Sequence, residues 1–166
     1  QVDVTVSVIS HGHAHDVRAL LAKIAALASD CPRRVVVTLN VPEPALQSAL
    51  ADGRWPFELR VIRNAQPAGF GANHNRAFGF DREQGPSALF AVLNPDILWR
   101  ANPFDAMLQQ LRDAPRVGLV YPVQLDAQGQ PQDQERLVPT PARLWARYRP
   151  GGARHEVTAG AAPEWV

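Results

Sequence analysis

The sequence predicts an α/β fold in which a mostly parallel sheet is flanked by helices. Strand-like and helix-like segments alternate from residue 1 to about residue 120, and such alternation is typical of parallel sheets with right-handed crossovers. The segment RRVVVTL at 33–39 is continuous in its hydrophobicity, as a strand covered on both faces should be. Apolar residues make up 46% of the 166 residues and charged residues 20%, which is typical of a globular domain and not of a disordered chain.

Five segments are predicted as strands. Valine at every second position from Val2 to Val8 indicates the first strand. The later strands are predicted at 33–39, 57–63, 88–93 and 116–125. The last of these is a strand or a pair of strands, and a turn at 126–129 follows it.

Helices are predicted between the strands. Apolar residues recur at helical spacing over 15–29, and Asp16 is expected to cap the start of this helix. Further helices are predicted at 42–51, 70–83 and 103–114. From residue 130 the chain is rich in Pro, Arg and Gly, with one more helix predicted around 140–148. This tail is either a solvated terminal segment or a substrate-facing loop.

Composition excludes several classes of protein. A formal net charge of +1 and a pI near 8.2 give no indication of a nucleic-acid surface. No apolar run approaches the roughly 20 residues that a membrane helix needs. Cys31 is the only cysteine, so it forms no internal disulfide, and we interpret it as incidental rather than as a nucleophile.

A carboxylate follows the fourth predicted strand, which we expect to be central in the sheet, in the tripeptide Asn94-Pro95-Asp96. Ligands of open α/β sheets bind beyond the carboxyl ends of the strands, and Pro95 restricts the backbone just before Asp96. A single carboxylate in such a place can hold Mg²⁺ or Mn²⁺ together with substrate phosphates. The alternative is a carboxylate that caps a helix or a turn.

A glycine-rich turn precedes the third predicted helix, in the segment NAQPAGFGANHNRAF at 64–78. Backbone N–H groups at such a helix start can bind an anion. The segment is not a dinucleotide fingerprint, because the third glycine of that motif would fall at His74. The alternative is a tight connection between a strand and a helix.

Three histidines alternate after the first strand, at His11, His13 and His15. Their spacing is compatible with a zinc site, but three ligands so close in sequence seldom converge on one ion. We favour a loop that lines the same cleft, with His11 or His13 against a nucleotide. The sequence has neither a G-x-S-x-G nucleophile motif nor an evident pair of catalytic carboxylates.

Together these segments resemble the N-terminal part of family 2 glycosyltransferases of the GT-A (Rossmann-like) fold, in the bacterial rhamnosyltransferase-like branch. The resemblance runs from about Val4 to Arg143. It rests on VSVISHGH, RNAQPAGFGANHNRAF, VLNPDI and VGLVYPVQLDAQGQPQDQERLVPTP, taken in this order and spacing.

The resemblance implies an inverting transfer of a sugar from a nucleotide-sugar donor to a hydroxyl acceptor, in the synthesis of surface polysaccharide or glycolipid. Asp96 matches the last acid of the family's metal motif, whose first acid is replaced by Asn94, and would hold Mg²⁺ or Mn²⁺ against the donor diphosphate. The implied donor-binding residues are Ser10, His11, Asn40, Gly69, Phe70, Asn73, Asn75, Asn94, Asp96 and Arg136.

The resemblance also implies the organisation and setting of the chain. Residues 1–126 would bind the nucleotide sugar, and 127–166 would begin an incomplete acceptor-side segment. The implied partners are a nucleotide-sugar donor and a glycan or lipid-linked acceptor, with no nucleic acid. Such enzymes work in the cytoplasm, peripheral to the inner membrane where they contact it.

Two departures from the family pattern stand out. Leu39 occupies the position of an Asp that contacts the base in relatives; a lost hydrogen bond of that kind costs about 1–3 kcal/mol. We expect Asn40 or Glu43 to compensate, or the base to differ. The chain also ends at Val166, before the Glu-Asp pair that carries the family's catalytic base. We therefore expect no catalytic residue in this chain, no useful turnover by it alone, and uncovered apolar surface that favours self-association.

A second hypothesis is a module that binds a nucleotide or a glycan without catalysis. Both departures favour it slightly. A nicotinamide-dependent oxidoreductase is disfavoured by the missing third glycine and by the lack of an acidic residue closing the second strand.

Overall fold

A computed structural model describes residues 3–27, 31–99, 101–126, 128–132, 140–142 and 145. The chain divides into two compact units, Gln1–Gly118 and Leu119–Val166. In the described part of the chain, no helix has both the length and the apolar character needed to cross a bilayer.

The first unit is an α/β structure, as predicted. Its strands are all parallel, and they are β1 (Val4–Ser10), β2 (Arg34–Leu39), β3 (Glu58–Arg63) and β4 (Leu89–Leu93). They lie side by side in the order β3-β2-β1-β4. The helices that flank this sheet are α1 (Ala14–Ala25), α2 (Pro44–Asp52), α3 (Phe70–Glu83) and α4 (Pro103–Asp113).

Alternate residues of β1 face two different environments. Val4, Val6 and Val8 belong to a hydrophobic core shared with α1, α2 and α4. Thr5 and Ser7 are also fully buried, but their hydroxyl groups bond to side chains of α3. The sheet is therefore covered on both faces, and this explains why its central strands tolerate so few exposed residues.

A buried ion pair joins α3 to the amino-terminal end of the sheet. Arg34 and Asp81 are 3% and 2% exposed at their side chains, and Arg34 Nη1 donates to Asp81 Oδ1. Thr5 Oγ1 donates to the same oxygen over 2.6 Å, and the Ser87 backbone N–H donates to Asp81 Oδ2 over 3.0 Å. Burial opposes ionisation, but these hydrogen bonds and the guanidinium charge together hold the pKa of Asp81 below its usual value.

The structure differs from the prediction that the fourth strand is central, because β4 lies at an edge of the sheet that the described residues form. The two edges differ in chemistry. β3 carries Glu58, Arg60 and Arg63, whereas Leu89–Leu93 contains no charged residue. Charged side chains protect an edge strand against pairing with other chains, so only the β3 edge is protected in this way.

The predicted fifth strand at 116–125 is wrong over most of its length. Within it, only β5 (Gln124–Leu125) is a strand, and it pairs antiparallel with β6 (Pro131–Gln132) in the second unit. Residues 117–123 have no regular structure, and they include Pro122, which has no N–H group to donate to a sheet. The predicted turn is present, and Asp126 Oδ1 accepts the backbone N–H groups of Gln128 and Gln130.

Three smaller predictions also have an outcome. Asp16 lies in the first turn of α1, whose N-cap is His13, so it does not cap the helix. Cys31 is buried, and burial raises the pKa of its thiol to about 11, which suits an incidental residue better than a nucleophile. Most of the helix predicted at 140–148 lies outside the described residues.

Candidate functional site

A polar side chain directly follows each of the four parallel strands. These residues are His11, Asn40, Asn64 and Asn94. Because the strands are parallel, all four lie at the carboxyl edge of one sheet. The strand order reverses between β1 and β4, and ligands of open α/β sheets bind at such a reversal. His11 and Asn94 therefore flank the position where the topology places a ligand.

An amide cluster, formed by the side chains of Asn40, Asn64 and Asn73, joins the ends of β2 and β3 to the start of α3. Asn40 Oδ1 accepts hydrogen bonds from Ala68 N at 2.8 Å, Asn64 Nδ2 at 2.8 Å and Asn73 Nδ2 at 3.0 Å. Asn40 Nδ2 donates to the Ala68 carbonyl over 3.1 Å. Asn40 and Asn73 are only 6% and 1% exposed. Both side chains hold the loop before α3 in place, so they support the surface of this loop and are not part of it.

Leu39 and its neighbours differ from the arrangement in the resembled family, in which an aspartate at this position contacts the base. Leu39 is 3% exposed and belongs to the hydrophobic core. The oxygen of Asn40 already accepts three hydrogen bonds, so it is not free to replace a missing carboxylate. Glu43 precedes α2, and both its carboxylate oxygens are buried without a hydrogen-bond partner among the described residues.

The glycine-rich turn leaves open space at the start of α3. Gly69 is the N-cap residue, with φ −68°. A Cβ atom built at Gly69 or Gly71 would meet no atom within 4 Å. Neither packing nor, at Gly69, backbone conformation requires a glycine here. Phe70 is 59% exposed and Asn75 is also exposed, which is the accessibility that a ligand-binding wall needs.

Ser10 and His11, at the turn after β1, differ in their exposure to solvent. Ser10 is fully buried, and its Oγ accepts the His13 backbone N–H over 3.3 Å. Gly12 has φ +81°, which permits this reversal. His11 is exposed, and its Nδ1 lies 2.8 Å from Asn40 Nδ2. Ser10 and His11 are both predicted binding residues, but of these two only His11 has a side chain that a ligand can reach.

The histidine segment does not form a metal cluster with other described residues. No group of three or more His, Cys, Asp or Glu in that part of the chain is placed to hold a metal ion. The Nδ1 atoms of His11 and His13 both lie against nitrogen groups of the protein.

Asp96 lies exposed in the turn that follows β4, next to the exposed Asn94. It accepts no hydrogen bond from a described residue. Helix α4, the next helix, is capped by Asn102, whose Oδ1 accepts the Phe104 backbone N–H over 3.0 Å. Within the described residues Asp96 therefore caps no helix or turn, and its carboxylate is available. One free carboxylate fits a cation held mainly by substrate phosphates, and does not fit a closed protein cage.

Two features of this edge were not predicted from the sequence. Asn64 donates to both Asn40 and Asn73, and its position directly after β3 is a signal that could have indicated it. His74 is 5% exposed, with Nδ1 2.8 Å from Ser7 Oγ and its ring edge against Phe70. Its Nε2 has no hydrogen-bond partner among the described residues, and burial lowers the pKa of His74.

Arg136, also a predicted binding residue, lies outside the described residues.

A search of protein-family models finds no match to this chain, and a search of curated proteins finds no significant match. The geometry of the carboxyl edge is therefore the basis for assigning a function.

Proposed function

We propose that this chain binds the nucleotide-sugar donor of an inverting glycosyltransferase with a GT-A fold. The observation that carries the proposal is the free carboxylate of Asp96 beside the strand-order reversal of an all-parallel sheet. The exposed wall formed by Gly69, Phe70 and Asn75 supports it, since a flat nucleotide needs an open and partly apolar surface.

The residues of this edge would divide the work of donor binding. Asp96, with Asn94 beside it, would hold Mg²⁺ or Mn²⁺, which supplies positive charge to the diphosphate leaving group. Asn40 and Asn73 would hold the loop that carries Gly69 in its binding conformation. The acceptor would be a hydroxyl group of a glycan or lipid-linked glycan, and the setting would be polysaccharide or glycolipid synthesis at the cytoplasmic face of a membrane.

Thermal stability in the presence of nucleotides tests this proposal. The chain would be heated with UDP, dTDP or GDP, each with and without Mn²⁺. A ligand at one hundred times its dissociation constant adds about 2.7 kcal/mol of stability, which is readily visible as a rise in melting temperature. We expect one nucleotide to stabilise the chain only when the metal is present.

Two variants make the experiment specific to the site. Asp96→Asn should abolish the metal-dependent part of the stabilisation. Asp52→Asn is the matched control, because Asp52 is an exposed aspartate at the last residue of α2, which runs away from the carboxyl edge. The absence of a response to all three nucleotides, or an equal loss in both variants, would contradict the proposal.

Release of a nucleoside diphosphate would favour a transferase over a binding module. A chain that turns over its donor releases the diphosphate in a metal-dependent way when given the matching nucleotide sugar. Because we expect no useful turnover by this chain alone, binding without release agrees with both hypotheses.

A further inference from the structure

Among the described residues of the carboxyl edge, His11 is the one with an exposed ring that contacts the buried amide cluster. Its Nδ1 lies 2.8 Å from Asn40 Nδ2. A neutral imidazole has one donor and one acceptor nitrogen, and the bond made by one nitrogen determines which role the other takes. The direction of the Asn40 bond therefore decides what His11 presents to a ligand.

Two backbone groups fix the orientation of the Asn40 amide. The N–H of Ala68 can only donate, and it points at Asn40 Oδ1 over 2.8 Å. The carbonyl of Ala68 can only accept, and it lies 3.1 Å from Asn40 Nδ2. If the oxygen and nitrogen of Asn40 were exchanged, the amide nitrogen would face the Ala68 N–H and the amide oxygen would face the Ala68 carbonyl. Neither pair can form a hydrogen bond, so the atom next to His11 is the amide nitrogen.

The neighbouring amides agree with this orientation. Arg76, which can only donate, gives a hydrogen bond to Asn64 Oδ1 over 2.7 Å. The Nδ2 of Asn64 must then face Asn40 Oδ1 and Asn73 Oδ1, and it lies 2.8 and 2.7 Å from them. The bonds between side chains run in one direction, from Arg76 through the three asparagines towards His11. Reversing the amides would break the bonds to Arg76 and to the Ala68 backbone, which are fixed in direction.

Asn40 Nδ2 therefore donates to His11 Nδ1, and the proton of the neutral ring is on Nε2. We propose that Asn40 locks His11 in this tautomer, and that the Nε2–H of this exposed side chain donates to an oxygen acceptor of the bound nucleotide. The second half of this inference rests on the proposed function. It assigns to His11 a selecting role, because a ligand that places an amino group at this position would leave two donors in conflict.

Imidazole nitrogen chemical shifts test the lock without any ligand. In ¹⁵N-labelled protein at pH 8, two-bond ¹H–¹⁵N correlations should show His11 with protonated Nε2 and bare Nδ1. Asn40→Asp replaces the donating nitrogen by an accepting oxygen, so in that variant Nδ1 should carry a proton. His15, an exposed residue at the start of α1 that makes no hydrogen bond to the described residues of the cluster, is the internal reference whose pattern should not change. A wild-type His11 with protonated Nδ1, or no change in Asn40→Asp, would overturn the lock.

Nucleotide affinity tests the donor role. Calorimetric titration with Mg²⁺ and UDP, dTDP or GDP should show His11→Phe binding the preferred nucleotide about tenfold more weakly, the effect of one lost hydrogen bond. His11→Gln, whose amide nitrogen reaches the position of Nε2, should recover most of the affinity. If His11→Phe binds as tightly as the wild type, the donor role is wrong. If the wild type binds none of the three nucleotides, the proposed function fails and the donor role fails with it, whatever the tautomer.

Discussion

Replacing Asp81 by asparagine tests how the buried ion pair stabilises the first unit. The substitution keeps the shape of the side chain but removes the charge that Arg34 faces. Asp81 also accepts hydrogen bonds from Thr5 and Ser87. The N–H of an asparagine amide would therefore point at one of the groups that donate to this position, which belong to Arg34, Thr5 and Ser87. Both members of the pair are at least 97% buried, and removing one partner of such a pair costs about 3–5 kcal/mol. We expect a loss of this size at pH 7.

Urea unfolding followed by circular dichroism measures this loss. With a slope of about 1–3 kcal/mol per molar urea, the midpoint should fall by 1 M or more while the slope stays constant. Glu58→Gln is the control, because Glu58 bonds the same guanidinium from a side chain that is 32% exposed. A partly exposed pair contributes about 0–1 kcal/mol. A loss under about 1 kcal/mol in Asp81→Asn would refute the reasoning.

The pH dependence of the same difference is a second check. The pKa of Asp81 is lowered in the folded state, although burial alone would raise it. Its stabilising effect is therefore complete above the unfolded pKa of about 4 and is lost as pH falls through the lower folded value. The wild type and Asp81→Asn should converge in acid, and a gap that persisted unchanged to pH 3 would contradict an ionic cause.

Four further predictions concern single positions. Gly53→Ala places a Cβ 2.6 Å from the Trp55 ring. It should displace the indole, shift its fluorescence and lower the free energy of unfolding by about 1–3 kcal/mol. Gly79 lies in a helix where a Cβ meets open space, so Gly79→Ala should raise the free energy of unfolding by about 0.5–1 kcal/mol. Burial lowers the pKa of His74, so stability should fall as pH drops below about 6.5, and His74→Gln should flatten that slope in urea titrations at pH 5–7.5. With a pKa of about 11, the Cys31 thiol should react with iodoacetamide at pH 8 far more slowly in the folded than in the unfolded chain; equal rates would disprove its burial.

Most of the fold could be predicted because its strands carry their own signals. Alternating valines at the start of β1 and the continuous apolar run of β2 identify buried strands without knowledge of their neighbours. The fifth strand failed for the same reason. Val117, Leu119, Tyr121 and Val123 alternate as strand residues do, but a strand needs a partner with free backbone groups, and periodicity contains no information about partners.

The sequence predicts that the polar residues of the candidate site lie at the carboxyl edge of the sheet, but not how they bond to one another. Polar residues after apolar strands indicate a ligand edge, and Asn40, Asn94 and Asp96 follow that rule. The direction of each amide bond depends on contacts such as the one between Asn40 and Ala68, which are 28 residues apart. Only the folded chain brings such groups together, so sequence could not show that Asn40 is occupied internally or that His11 is held by it.

The position of β1 between β2 and β4 has a consequence for the order of folding. β1, β2 and β3 are consecutive in the chain, so they can pair as soon as they have been synthesised. β4 joins β1 only after a much longer segment, as the 82 residues between the bonded hydroxyls of Thr5 and Ser87 show. Closing a long loop carries an entropy cost before any contact repays it. We therefore expect β4 to dock after the other three strands, so that the proposed donor site would form only at the end of sheet folding.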